Sequence, residues 1–200
     1  MNSQFRQVIF PAAVFLCLAT IACQLRRPDA SPVRTLEPQL LEPQLTEPEK
    51  QKTKAPDAKP IRLLDTNSQG NIGRPVVHQQ ATGELISDSS WRWSAAPERY
   101  LDTALRLQLE ANPSMRRVDS SQAPTLAATP LVWDLQSGER RQLVGAVEFQ
   151  ITRTDRAINT ELVRDSEPVS AEMPGDLPMA AGRLLRRLAS RGLTLAATER

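Results

Sequence analysis

A period of two runs over ten positions from Leu143 to Thr152, with apolar residues on one face and polar ones on the other from Glu148 onward. Leu143, Gly145, Val147, Phe149 and Ile151 share one side, and Val144, Ala146, Glu148, Gln150 and Thr152 the other. A period of two held that long predicts a strand with one face on the core. Thr125 to Leu135 predicts its neighbour, with Leu131, Trp133 and Leu135 alternating with Val132 and Asp134. Gln136-Ser137-Gly138-Glu139 supplies the hairpin turn between them. Pro130 has no N–H to give a ladder, so a bulge or an edge position is expected there. Thr154-Asp155-Arg156 turns the chain again, and Ile158, Thr160 and Leu162 continue the alternation.

Upstream, the pattern from Ile72 to Glu110 changes period partway. Val76-Val77-His78-Gln79 and Trp91-Arg92-Trp93 predict two strands, and Pro97 then opens a helix that stops at Asn112-Pro113. Tyr100, Leu101, Ala104, Leu105, Leu107 and Leu109 cover about half of that helical wheel, a face wide enough to lie flat on a sheet. Ile61–Leu64 predicts a short first strand and Met115–Asp119 a weak one. The closing helix is expected from Leu177 to Arg191, capped by Asp176, with Gly192 as its terminator. Its stripe is Leu177, Ala181, Leu184, Leu185 and Leu188. Arg183, Arg186, Arg187 and Arg191 line the other side, as a solvated face or a surface for anionic headgroups or an acidic partner. The order β-β-β-α-β-β-β-β-α points to an α/β (α+β) two-layer sandwich. A mixed, mostly antiparallel sheet would carry both helices on one face.

The amino terminus follows other rules. Val8 to Ala22 is an uncharged, mostly apolar run of fifteen residues, short of the ~20 that span a bilayer. It ends in Leu18-Ala19-Thr20-Ile21-Ala22-Cys23, which resembles a bacterial lipoprotein signal. That resemblance implies cleavage of residues 1–22 and a diacylglyceryl group on the sulfur of Cys23. Gln24 stands where an aspartate would retain such a protein at the inner membrane, so an outer-membrane location facing the periplasm is implied. The alternatives are an uncleaved anchor over residues 1–22 and an ordinary signal with Cys23 incidental. Residues 23–60 then form a lipid-anchored, proline-rich tether. In it Leu36-Glu37-Pro38-Gln39-Leu40 repeats at once as Leu41-Glu42-Pro43-Gln44-Leu45 and decays into Thr46-Glu47-Pro48-Glu49-Lys50. Proline every five residues forbids a continuous helix and denies sheet donors, so this segment is expected to be a disordered spacer reaching at most ~110 Å.

Composition narrows the chemistry. The 25 basic and 23 acidic residues leave a net charge of +2, too little for a nucleic-acid reader, where a clustered basic stripe is expected. Release of Cys17 with the signal and acylation of Cys23 would leave no free thiol for a disulfide, a zinc site or a nucleophile. No G-x-S-x-G, Gly-x₄-Gly-Lys or G-x-G-x-x-G occurs. His78 is the single histidine; Glu84, Asp88, Ser87, Ser89 and Ser90 lie near it, yet a lone strand histidine is more often a surface or satisfied core residue. No catalytic set, cofactor or metal site is expected.

The segment from Gly73 to Leu109 resembles the ABC-type transport auxiliary lipoproteins, accessory components of transporters that work with mammalian-cell-entry (MCE) domain proteins. The resemblance rests on Arg74, Val76 and Val77, Glu84-Leu85, Arg92-Trp93, Pro97 and Tyr100-Leu101. Pro124-Thr125-Leu126, the long alternating strand and the closing Ala-Leu-Arg helix extend it to about residues 61–200. It implies a non-catalytic protein that docks an ABC transporter or MCE-domain partner in lipid or hydrophobic-solute traffic, with a homo-oligomer left open. A structural or assembly lipoprotein is the competing class. Val76, Val77, Trp91 and Trp93 are the candidate partner contacts, because an exposed strand beside two tryptophans suits strand addition. The other reading of the tryptophans is core filling beneath the first helix.

Overall fold

The computed structural model describes residues 32–40, 55–67, 72–138 and 140–198. Cys23, its signal and the repeats after Leu40 lie outside the described residues. The chain order is β1 (Arg34–Leu36), β2 (Lys59–Leu63), β3 (Pro75–Gln79), β4 (Leu85–Trp93), α1 (Pro97–Ala111), β5 (Met115–Arg117), β6 (Thr125–Gln136), β7 (Gln142–Thr152), β8 (Ile158–Pro168) and α2 (Leu177–Thr198).

β6 organises the eight-stranded sheet. One edge pairs antiparallel with β7 along its whole length, and β7 pairs antiparallel with β8. The opposite edge is shared. β2 docks parallel at Thr125–Leu126 and β3 docks parallel at Asp134–Gln136. β5 then extends β2, and β4 extends β3. Pro130 sits in the gap between the two docked strands. The carbonyls of Pro124 and Leu126 accept N–H groups from β2, so two-residue alternation puts the Pro130 nitrogen on that same unpaired edge. No bond to β7 is lost there. The register to β7 shifts between Pro130 and Val132, which is the bulge the proline foretold.

Both helices lie on one face. The side chains of Leu126, Ala128, Trp133, Leu135, Leu143, Val147, Phe149 and Ile151 meet those of Leu101, Leu105, Leu109, Leu184, Leu185 and Leu188 in one buried cluster. Helix α1 begins at Pro97 and ends at Asn112, whose N–H caps the Leu109 carbonyl. The other sheet face carries no helix among the described residues. Ile158 and Leu162 stand on it, 62% and 61% exposed, because β8 pairs Leu162 with Glu148 and Ile158 with Thr152.

Two expectations fail. Gly192 does not end α2, which runs on to Thr198. A Cβ at Gly192 would collide with the Phe149 ring, so this glycine serves close helix–sheet packing rather than a left-handed cap. The tether also folds in part. Arg34–Leu36 is a strand, paired parallel with Trp91–Trp93. Leu36 is 4% exposed, and burying a leucine stabilises by ~1.5–3 kcal/mol. Ordering Arg34–Leu40 costs more than that, at ~1–2 kcal/mol per residue, so buried Pro38, half-buried Leu40 and the backbone bonds to Ser94 and Pro178 contribute the rest. The proline spacing hid an apolar pattern of Leu36, Pro38 and Leu40 at every second position.

Gly192→Ala is expected to lower stability by ~1–3 kcal/mol, the usual penalty of overpacking. A thermal melt followed by circular dichroism measures it; an unchanged melting temperature would mean the Phe149 ring yields freely.

Candidate functional site

The outer edge of β4, which β1 covers, is where the chain's unusual features converge. The N–H of Ser94 donates to the Leu36 carbonyl at 2.8 Å, continuing the β1–β4 ladder. Arg34 lies over the Trp91 ring with 5.3 Å to its centroid, a cation–π contact. Past β1 the chain crosses the start of α2, where the Gln39 N–H donates to the Pro178 carbonyl at 3.0 Å. A Cβ on Gly182 would overlap the Gln39 carbonyl; only glycine lets the backbones approach this closely. Leu36 and Pro38 are buried, and Leu40 packs half-buried against the core. Residues 34–40 therefore occupy a seat formed by the β4 edge and the first turns of α2.

This seat bears directly on the four candidate contacts. Val76 and Trp93 are each 1% exposed. Trp93 packs at 5.9 Å on Trp133 and edge-on at 6.4 Å to Tyr100. The Tyr100 hydroxyl is 2.7 Å from the Ser94 Oγ and accepts the Ala95 N–H at 2.7 Å, which ties β4 to α1. Val76 and Trp93 are thus core residues, with no face turned to a partner. Val77 and Trp91 are half-buried, and the strand edge beside Trp91 is taken by the chain's own β1. The two-residue spacing of the tryptophans did not reveal a bulge in β4: Pro75 pairs with Arg92, whereas Val77 pairs with Ser87.

Asp88 fills that bulge. Its carboxylate accepts the N–H groups of Ser90 at 2.7 Å and Trp91 at 3.0 Å, and His78 Nε2 lies 3.0 Å from its other oxygen. Burial pushes the Asp88 carboxyl up, but the Ser90 N–H, the His78 ring and the Trp91 N–H outweigh it and hold the carboxyl below the ordinary value. The pair satisfies backbone donors that the bulge frees. Ser90 takes part through its backbone, and Glu84 sits exposed on the hairpin turn with its carbonyl accepting the Gln80 N–H. Ser87 pairs with Val77 across the strand. Among the described residues no group of three or more His, Cys, Asp or Glu is placed to hold a metal ion. No described helix is long and apolar enough to cross a membrane.

Two further charged groups shape the surface. Arg183 bonds Glu167 at 2.5 Å, while Arg187 bonds Asp165 at 2.9 Å and Glu167 at 2.5 Å. These two arginines clamp α2 to β8 and are not a free solvated face. Burial raises Asp165 and Glu167, but the arginines pull both carboxyls below their usual values. On the helix-free face, burial raises the Asp134 carboxyl, with the Trp133 N–H and Arg164 only partly compensating.

No family model matches the sequence, and no curated protein matches it. Among solved structures the chain is similar to protein XCC0632 from Xanthomonas campestris, of the DUF330 family. The match has a TM-score of 0.61 at 14% identity and covers 82% of this chain and 94% of that one. It is also similar to the hypothetical protein CT253 from Chlamydia trachomatis, with a TM-score of 0.52 at 6% identity over 69% of this chain and 95% of that one. An uncharacterized protein matches with a TM-score of 0.56 at 12% identity over 72% and 94% of the respective chains. At such identities the likeness is one of fold.

The tryptophans are expected to separate in thermal melts. Trp93→Ala should cost ~3–5 kcal/mol as a core cavity, whereas Trp91→Ala, which loses the Arg34 contact and part of its packing on the core, should cost ~1–2 kcal/mol. Equal losses would contradict the burial difference. The carboxylates predict opposite pH signatures. The folded pKa values of Asp165 and Glu167 lie below their unfolded ones. Their contribution is therefore full above about pH 4, the unfolded range, and disappears as pH falls through the folded values. Glu167→Gln should therefore flatten the acid limb of stability against pH. Asp134 has a raised folded pKa, so its ionised form detracts from stability at neutral pH and less so as pH falls toward that value. Asp134→Asn should raise the melting temperature at pH 7, with the gain shrinking in acid; a constant gain would sink the titration argument.

Proposed function

We propose that the chain is an envelope lipoprotein acylated at Cys23, held at the periplasmic side of the outer membrane. Its folded part serves as a non-catalytic auxiliary component of an ABC transporter working with MCE-domain proteins on lipids or other hydrophobic solutes. The observation that carries this reading is the way the residues of the family resemblance pack. Val76, Trp93, Pro97, Tyr100 and Leu101 are buried together around β3, β4 and α1, whereas Arg74, Glu84, Leu85 and Arg92 are exposed, so the apolar half of the resemblance is the part that builds the core. The sheet with two helices on one face, similar to that of the DUF330 protein, agrees with it. His78, whose carboxylate partner is occupied with backbone donors, supports the non-catalytic part.

The folded strand β1 changes what a lipid anchor would allow. Residues 24–33 alone would separate Cys23 from β1, a reach of ~31 Å against ~110 Å for the whole spacer. The folded part would then work close to its membrane while the seat is filled. Ile158 and Leu162 on the helix-free face and Leu85 beside the β3–β4 turn are the most exposed large apolar residues among those described, and they could meet a partner.

The test uses the full chain extracted in detergent. Mass spectrometry of the native protein should show a diacylglyceryl group on Cys23, and affinity purification should recover an ABC ATPase, a permease and an MCE-domain protein. Cys23→Ser should leave an unprocessed precursor or a released form, and unchanged mass and fractionation of that variant would refute acylation. An acylated protein that recovers no transporter component would instead favour a structural or assembly lipoprotein.

A further inference from the structure

The seat on β4 and α2 reads three apolar positions and two backbone contacts. Leu36 and Pro38 are buried, Leu40 packs on the core, the Leu36 carbonyl accepts the Ser94 N–H, and the Gln39 N–H reaches the Pro178 carbonyl. Gly182 fixes the register by admitting the Gln39 carbonyl. The five residues that meet these requirements are Leu-Glu-Pro-Gln-Leu, and the same five follow immediately as Leu41–Leu45.

We propose that the seat is a binding site for an extended Leu-x-Pro-x-Leu segment and that Leu41–Leu45 is a second ligand for it within the same chain. Every side chain the seat buries recurs five residues later, and its backbone contacts do not depend on sequence. The third, decayed copy, Thr46-Glu47-Pro48-Glu49-Lys50, keeps the proline but neither leucine, so it is no ligand. With the second copy seated, residues 46–54 remain free to reach Ala55, whose N–H is held by the Pro113 carbonyl ahead of β2. Nine residues extend to ~30 Å, whereas Gly182 beneath the seat and Ala197, whose carbonyl accepts the Lys59 ammonium, are only ~22 Å apart along α2. The chain can close in either register.

What distinguishes the registers is Arg34. In the first it covers Trp91; in the second Gln39 takes its place. An exposed cation–π contact favours the first register by roughly two- to fivefold. Exchange lengthens the stretch before the seat by five residues, ~15 Å of extended chain. Where Cys23 carries the lipid, the seat would then act as a two-position adjustment of the leash.

Disulfide trapping on the full chain tests this. Thr35 pairs with Arg92 across β1 and β4, and adjacent strands suit a disulfide. Thr35→Cys with Arg92→Cys therefore reports the first register. A five-residue shift brings Leu40 opposite Arg92, so Leu40→Cys with Arg92→Cys reports the second. Bonds are assigned by mass spectrometry of the linked peptides, which leaves Cys17 and Cys23 in place. Leu36→Asp, which empties the first copy, should abolish the first bond and make the second dominant. Adding Leu41→Asp should abolish the second. Arg34→Ala leaves the core untouched and so covers the case in which Leu36→Asp fails to fold. It should raise trapping of the second bond roughly two- to fivefold. Failure of the Leu40→Cys bond to form in the Arg34→Ala chain, while the Thr35→Cys bond still forms, would overturn the proposal. So would a Leu40→Cys bond found only between two chains, which would assign the second copy to a neighbouring molecule.

Discussion

Every layer of this protein depends on β6 being paired along both edges while containing a proline. The antiparallel ladder to β7 uses one edge throughout, and β2 and β3 divide the other. A proline in a central strand normally removes a ladder bond. Here its nitrogen falls between the two docked strands, so the missing donor coincides with a missing acceptor. The bulge that follows then shifts the inward side chains from Leu126 and Ala128 to Trp133 and Leu135. Both halves of β6 therefore aim their larger side chains at the same helical layer. β3 can dock only because the ladder is re-phased after the bulge, and with β3 come β4, the Trp93 core and the N-terminal seat.

Most of this was legible in the sequence where one rule dominates. The ten-residue alternation, the Pro97 start and Asn112-Pro113 stop of α1, and the Pro130 bulge each follow from local backbone chemistry, and the two-layer sandwich follows from their order. What was illegible depends on contacts between distant residues. Gly192 has the sequence appearance of a helix end and becomes a helix interior because the Phe149 ring occupies the space of its Cβ. Arg183 and Arg187 look solvated until β8 continues to Pro168 and presents Asp165 and Glu167 to them. Ile158 and Leu162 keep the right period but the wrong side, since register to β7 and not periodicity decides which face is inward.

The candidate contacts divide by the same logic. Two tryptophans at a two-residue spacing in a chain poor in aromatics mark something, but spacing alone cannot separate a hot spot from a core. Trp93 is core because β4 continues straight into the turn that Tyr100 holds. Trp91 stays at the margin because the Asp88 bulge re-aims the strand just before it. Nothing in the local sequence of β4 announces that its outer edge is already taken. The occupant lies more than fifty residues upstream, in a stretch whose proline content argues against structure.

The edges of the sheet explain why that occupant is useful. An exposed strand edge invites pairing with other chains, and folded proteins cover it, charge it or shorten it. β5 is three residues long, β8 carries Glu161, Arg164, Asp165 and Glu167, and β4 is covered by β1. The charges on β8 serve twice, since Asp165 and Glu167 guard the edge and also clamp α2 against it. β4 lacks that protection: beyond Asp88 its outward residues are serines, Trp91 and Arg92. A cover taken from a proline-rich stretch is the weakest of the three devices, because its short strand is held by two buried side chains and a few backbone bonds. It is also the device an exchange could reach, since the same five residues follow at once as Leu41–Leu45 and lack, as a cover, only the contact that Arg34 makes with Trp91.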